Sequence, residues 1–97
     1  MIAELQVLPR PSGTDDDPHA HVEAAIAVLR SSGLQAEVSA LGTTFEGPPD
    51  AVWAALRAAH EATLAAGATF TISVVKLAEG AGDDGPTMDR LTRKFRT

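Results

Sequence analysis

Residues 35–47 read QAEVSALGTTFEG, and the pattern of this stretch decides the fold. Ala36, Val38 and Ala40 alternate with Gln35, Glu37 and Ser39, the period-two signature of a half-buried strand over Gln35–Leu41. Gly42 supplies a tight turn, and Thr43–Gly47 reads as the antiparallel return strand. A hairpin in the middle of a 97-residue chain leaves one flank on each side, and the two flanks have the same content.

Upstream, Ile2–Leu8 reads as a strand closed by Pro9 and Pro11. Asp15, Asp16 and Asp17 then precede Pro18, which predicts a helix start with Asp17 as its cap. Val22, Ala25, Ile26 and Leu29 fall at i, i+3, i+4 and i+7 along that helix, and Gly33 ends it. Downstream, Pro48, Pro49 and Asp50 open a second helix with a stripe of Val52, Ala55, Leu56, Ala59 and Thr63, stopped by Gly67. Ala68–Leu77, rich in Thr, Ile and Val, is the fourth strand. Ala78–Gly85 reads as a glycine- and aspartate-rich turn or loop, and Thr87–Phe95 as a short terminal helix. The order strand, helix, strand, strand, helix, strand predicts an α+β fold over residues 1–97 as a single domain. It is the ferredoxin-like βαββαβ sandwich, a four-stranded antiparallel sheet with two helices on one face.

Composition excludes several chemistries. The chain has no cysteine, which removes disulfides, thiolate metal sites, iron–sulfur clusters and cysteine nucleophiles. A formal net charge of −5 argues against a phosphate-backbone binder, so no nucleic-acid partner is expected. No apolar run reaches the roughly 20 residues of a membrane span and no basic flank precedes an apolar core, so the expectation is a cytoplasmic protein with no membrane partner. Alanine abundance and arginine in preference to lysine match proteins of GC-rich bacteria.

Residue parity assigns the two faces of the sheet. Leu5, Val7, Ala36, Val38, Phe45, Ile72 and Val74 are expected under the helices. Glu4, Gln6, Glu37, Ser39, Thr44, Glu46, Thr71 and Ser73 are expected on the uncovered face, which then carries carboxylates, hydroxyls and no aromatic. Three readings of such a face stand side by side: solvated surface, contact with a second copy, or a polar ligand pocket with Glu46 or Glu4 offered to a cation. His60 lies seven residues after Trp53 on nearly the same side of the second helix, either as a half-buried boundary residue or as a ligand or partner contact. His19 and His21 are two apart beside an aspartate run, which is not the i, i+4 spacing of a helical metal pair, and no metal is expected. No nucleophile motif and no phosphate loop is present. The topology is shared by acylphosphatases, whose chemistry needs an asparagine that this chain lacks, and by RNA-recognition domains, which stack bases on aromatics of the open face.

The blocks Ala3-Glu4-Leu5 running to Pro9, Leu41-Gly42-Thr43-Thr44-Phe45-Glu46-Gly47, and His60-Glu61-Ala62 with Gly67-Ala68 resemble the small thiamine-binding protein family, which includes the YkoF-like proteins. Lys76 and Thr87-Met88-Asp89 resemble its closing segment, so the likeness spans nearly the whole chain. The resemblance implies a ferredoxin-like subunit that self-associates through its sheet into dimers or tetramers. It implies non-catalytic binding of thiamine or its hydroxymethylpyrimidine moiety as a small-molecule ligand, with no cofactor and no enzyme activity. Carried over by position, the ligand-binding residues are Thr43, Thr44, Glu46 and His60, and open-face parity adds Ser39, Glu4 and Gln6. Where family members carry arginines, this chain has Thr69 and Phe70 after the Gly-Ala pair, and Leu77, Ala78 and Glu79 after Lys76. The unphosphorylated cation is therefore the expected ligand form. The competing reading is an oligomeric protein–protein interaction or regulatory module with no small-molecule ligand.

Overall fold

In the computed structural model, which describes residues 1–82 and 85–96, β1 (Ile2–Arg10) leads to α1 (Ala20–Arg30), then β2 (Gln35–Val38) and β3 (Thr43–Glu46). There follow α2 (Pro49–Ala65), β4 (Phe70–Ala78) and a short α3 (Met88–Thr92) continued by one 3₁₀ turn, Arg93–Phe95. The sheet order is β2-β3-β1-β4, with every neighbouring pair antiparallel. This is the expected ferredoxin-like arrangement. Of the expected glycine- and aspartate-rich loop, Asp83 and Asp84 lie outside the described residues.

The core forms where α1 and α2 cover one face of the sheet. Ala3, Leu5, Val7 and Phe45 from the sheet meet Ala25 and Leu29 of α1 and Val52, Ala55, Leu56 and Ala59 of α2. The expected stripe of α2 is buried residue for residue, Thr63 included. Gly33 and Gly67 take positive φ values of 82° and 130°, so both stops act through backbone freedom that residues with a Cβ lack.

Three expectations are corrected. First, α1 begins at Ala20, not at Pro18: the Asp17 carbonyl accepts the N–H groups of Thr14 and Ala20, so the aspartate run closes a turn instead of capping a helix. Second, the buried face of α1 is His21, Ala25 and Leu29, with Val22 and Ile26 only half-buried beside it. His21 turns inward, and its Nδ1–H donates to the Pro11 carbonyl at 2.7 Å, which gives a buried polar ring a partner.

Third, the faces of β4 are reversed. The register pairs Leu5 with Val75, Val7 with Ser73 and Pro9 with Thr71, and directly opposed residues share a face. Thr71 and Ser73 therefore lie under the helices, while Phe70, Ile72 and Val74 point to the uncovered side. Together with Leu8 they form an apolar strip whose members are 40–55 % exposed. The uncovered face thus carries an aromatic, and it is acidic only toward β2 and β3. There α3 lies on it, with Met88 buried.

Candidate functional site

The seven residues expected to bind ligand do not form one site. They separate into three places on the molecule.

Gln6, Ser39 and Thr43 meet at a cavity of about 150 Å³ between β1, α1 and the β2–β3 turn. Leu5, Val7, Val22, Ile26 and Leu29 make its walls largely apolar. The turn that closes it is set by Gly42, whose carbonyl accepts both the N–H and the hydroxyl of Ser39 at 2.9 Å. A Cβ on Gly42 would stand 3.1 Å from the Leu5 carbonyl oxygen, so close approach of the turn to β1 favours glycine. Thr43 is 2 % exposed and shares the helix-facing side of β3 with Phe45. Among the described residues the buried side-chain oxygen without a hydrogen-bond partner is Thr71 Oγ1 on β4, not that of Thr43. No lysine, arginine or carboxylate lines this cavity among the described residues.

Glu4, Thr44 and Glu46 lie on the opposite face of the sheet. Their polar groups are already engaged or covered. Glu46 Oε2 accepts the Met88 N–H at 2.8 Å. Glu4 stands 3.9 Å from Lys76 Nζ. Thr44 lines a space of about 140 Å³ beneath α3 with Ile2, Met88 and Leu91, closed on one side by the 2.8 Å ion pair of Arg96 with Glu37.

His60 stands apart from both. Its Nδ1 and Ser73 Oγ share a hydrogen bond of 2.5 Å, which joins α2 to β4. The pair lies in an apolar cleft of about 390 Å³ with Trp53 on its rim and Leu56, Val75 and Leu77 in its walls. Arg57 at the same rim is held by Glu61 at 2.7 Å, and that hydrogen bond, with the carboxylate charge, raises its pKa. Sequence reasoning missed Ser73 here because it phased β4 the other way. It also left out Trp53, although the seven-residue spacing to His60 was the available signal.

Comparison with known proteins identifies the family. A model of the family described as thiamine-binding protein matches residues 3–96. The chain belongs to that family. A UPF0045 protein of Synechocystis is 36 % identical over 98 residues, covering 100 % of this chain and 78 % of its own length. A UPF0045 protein of Clostridium perfringens is 34 % identical, covering 95 % of this chain and 93 % of its own. Among solved structures, a domain of unknown function from Bacillus cereus superposes with a TM-score of 0.85 at 30 % identity, covering 98 % of this chain and 88 % of that one. A Thermotoga maritima protein, a candidate for thiamine biosynthesis or salvage, superposes with a TM-score of 0.79 at 20 % identity, covering 98 % and 97 %, and shows the shared fold. In this member of the thiamine-binding family, Gly42 and Thr43 of the block that carries the resemblance line the helix-side cavity, and Thr44 faces the other side of the sheet. No helix among the described residues is long and apolar enough to cross a membrane.

Proposed function

We propose that this chain binds thiamine or its hydroxymethylpyrimidine moiety without catalysing a reaction, and that the cavity beside Thr43 holds the pyrimidine ring. The observation that carries this reading is the largely apolar cavity between β1, α1 and the β2–β3 turn, with Gly42 and Thr43 of the family-like block in its wall. Concave, mostly apolar pockets with a few polar groups in the wall are the usual form of a small-molecule site. Ser39, at the same cavity, is the further polar side chain available to an aminopyrimidine, whereas the Gln6 side chain, opposite Val74, belongs to the uncovered face. The absence of a lysine or arginine from the described lining favours the unphosphorylated forms over thiamine diphosphate. Calorimetric titration with thiamine, hydroxymethylpyrimidine and thiamine diphosphate tests it. Micromolar binding of the first two and weaker binding of the third is the expected result. Flat traces for all three from folded protein would overturn the reading.

A separate observation favours self-association through the sheet. Leu8, Phe70, Ile72 and Val74 form a contiguous exposed apolar strip on the uncovered face, and β4 presents its outer edge unpaired over nine residues. Long apolar edges of this kind are normally covered. A second copy of the chain would cover it, giving a dimer or a tetramer built on the sheet. If no small molecule binds, this strip makes the interaction-module reading the stronger one.

A further inference from the structure

Away from the ligand cavity, Ser73 of β4 and His60 of α2 form the one hydrogen bond between a hydroxyl and an imidazole among the described residues. Both side chains are half-buried, and both stand on regular elements instead of loops, which holds them in place. Ser73 Oγ and His60 Nδ1 are 2.5 Å apart, and neither atom has a second partner among the described residues. In the Nε2–H tautomer the hydroxyl donates and Nδ1 accepts. That is the arrangement of a nucleophile on its general base. Glu61, next to His60 in sequence, is committed to Arg57 at 2.7 Å, so no carboxylate bonds the imidazole among the described residues.

A third group follows from the sheet ladder. Met1 and Gly47 exchange both main-chain bonds, at 3.0 and 3.1 Å. Bonded and non-bonded positions alternate along an antiparallel ladder, so odd residues of β1 face β3 and even ones face β4. The Arg10 carbonyl, which accepts the Thr69 N–H at 2.8 Å, agrees with this. Even residues of β4 lie opposite those of β1, so its odd residues turn their main-chain groups to the outer edge of the sheet. Ser73 therefore carries a free N–H beside its own Oγ. In the serine triad the nucleophile's own N–H is one of the two donors that hold the oxyanion. The surrounding cleft of about 390 Å³ offers Trp53, Leu56, Val75 and Leu77 to an apolar acyl group.

We infer that Ser73 is a nucleophile, with His60 as its general base, toward small activated esters that carry an apolar acyl group. Ser73 Oγ adds to the carbonyl carbon and its proton passes to His60 Nδ1, while the charge on the carbonyl oxygen meets the Ser73 N–H. The bond to the leaving alcohol then breaks, and that alcohol takes the proton from Nδ1. Water cleaves the acyl-serine in the same way: Nδ1 takes the proton of water and returns it to Ser73 Oγ as the carboxylic acid leaves. In a full triad, replacing the orienting aspartate by asparagine lowers kcat about 10⁴-fold. A dyad without that carboxylate is slow, and it acts on good leaving groups such as phenols and not on amides. Thiamine contains no ester, and the two cavities share Leu5 alone, so this reactivity is separate from the ligand reading above.

The test treats the full chain with an alkyl fluorophosphonate, which phosphonylates activated serines, and separately with p-nitrophenyl butyrate. Peptide mapping of the wild type is expected to place the phosphonate on Ser73. Ser12, Ser31, Ser32 and Ser39 are internal controls, each expected to react at least tenfold more slowly. That comparison needs no variant to fold, and heat-unfolded protein should lose the preference. Nitrophenolate release is expected to fall at least tenfold in Ser73→Ala and in His60→Gln, the lower end of what a general base contributes. A saturating aminopyrimidine should slow neither reaction. Labelling that spares Ser73 or spreads evenly over the serines overturns the inference, as does ester cleavage undiminished in folded His60→Gln. Each of those results leaves the proposed function standing.

Discussion

Glu46 Oε2 accepts the main-chain N–H of Met88 at 2.8 Å, so the last residue of β3 holds the first residue of α3 across 42 positions of sequence. A helix of five residues is too short to persist alone. It is fixed by this bond, by the buried Met88 side chain and by Arg96 on Glu37. Glu46→Ala is therefore expected to release residues 88–96 from the sheet, at a cost of about 1–2 kcal/mol. The measurement is amide exchange of α3 together with thermal melting, and a cost of that size lowers the melting temperature by about 4–8 °C per kcal/mol. Ligand affinity should stay within about threefold, because Glu46 is on the opposite face from Thr43. Loss of binding with α3 still protected would return Glu46 to the ligand site.

Thr43→Val separates binding from stability. The substitution keeps the shape of the side chain and removes the hydroxyl of a residue that lines the cavity. Folding stability is expected to change by less than about 1 kcal/mol, in the stabilising direction if at all. Affinity for an aminopyrimidine should fall by about tenfold, the weight of one buried hydrogen bond. His60→Ala is the control with the opposite pattern. It removes the link to Ser73 and lowers the melting temperature, yet leaves affinity unchanged because His60 does not line that cavity.

Much of this architecture was legible in the residues, and the failures have physical causes. The stripe of α2 repeats without ambiguity, so its five buried residues were readable in advance. On β4 the sequence alternates hydroxyl with apolar residues, and the ordinary rule that apolar faces inward assigned Ile72 and Val74 to the core. The register overrides that rule. Ser73 is tolerated under the helices because His60 satisfies it, and Ile72 is tolerated outside because that face is an apolar strip. Neither fact is local to the strand. The candidate site was legible in part. The Gly42-Thr43 block pointed to a wall of the cavity, but the cavity lies where β3 ends at Thr43 and β1 runs on to Arg10, which no side-chain pattern reports.

Gly67 and His21 are expected to be coupled. A Cβ on Gly67 would stand 3.0 Å from His21 Nε2, at a residue whose φ is 130°. Gly67→Ala should destabilise the fold by more than about 1 kcal/mol, from backbone strain and from the crowded ring together. His21→Ala should cost about 2–4 kcal/mol through loss of a buried ring and its bond to Pro11. Made together, the two substitutions should cost less than the sum of the singles, since removing the ring relieves the clash. Denaturant titration of the four proteins measures this, and strict additivity would place the strain of Gly67 in its backbone alone.

Ile72→Glu tests the apolar strip directly. Ile72 sits opposite Leu8 in the middle of the strip and points away from the helices, so a carboxylate there disturbs no core contact. A monomeric chain would accept the change within about 0.5 kcal/mol, the usual range for surface substitutions. An assembly built on this face would not, because each interface would have to bury the new charge twice, facing its symmetry mate. Sedimentation of the wild type is expected to give a dimer or tetramer, and that of Ile72→Glu a folded monomer. Thr43 and Val7 line a cavity on the other side of the sheet. The monomer should therefore keep its affinity for the aminopyrimidine. A variant that stays oligomeric would move the interface away from this strip, and one that dissociates and loses binding as well would show that the ligand cavity needs the second copy.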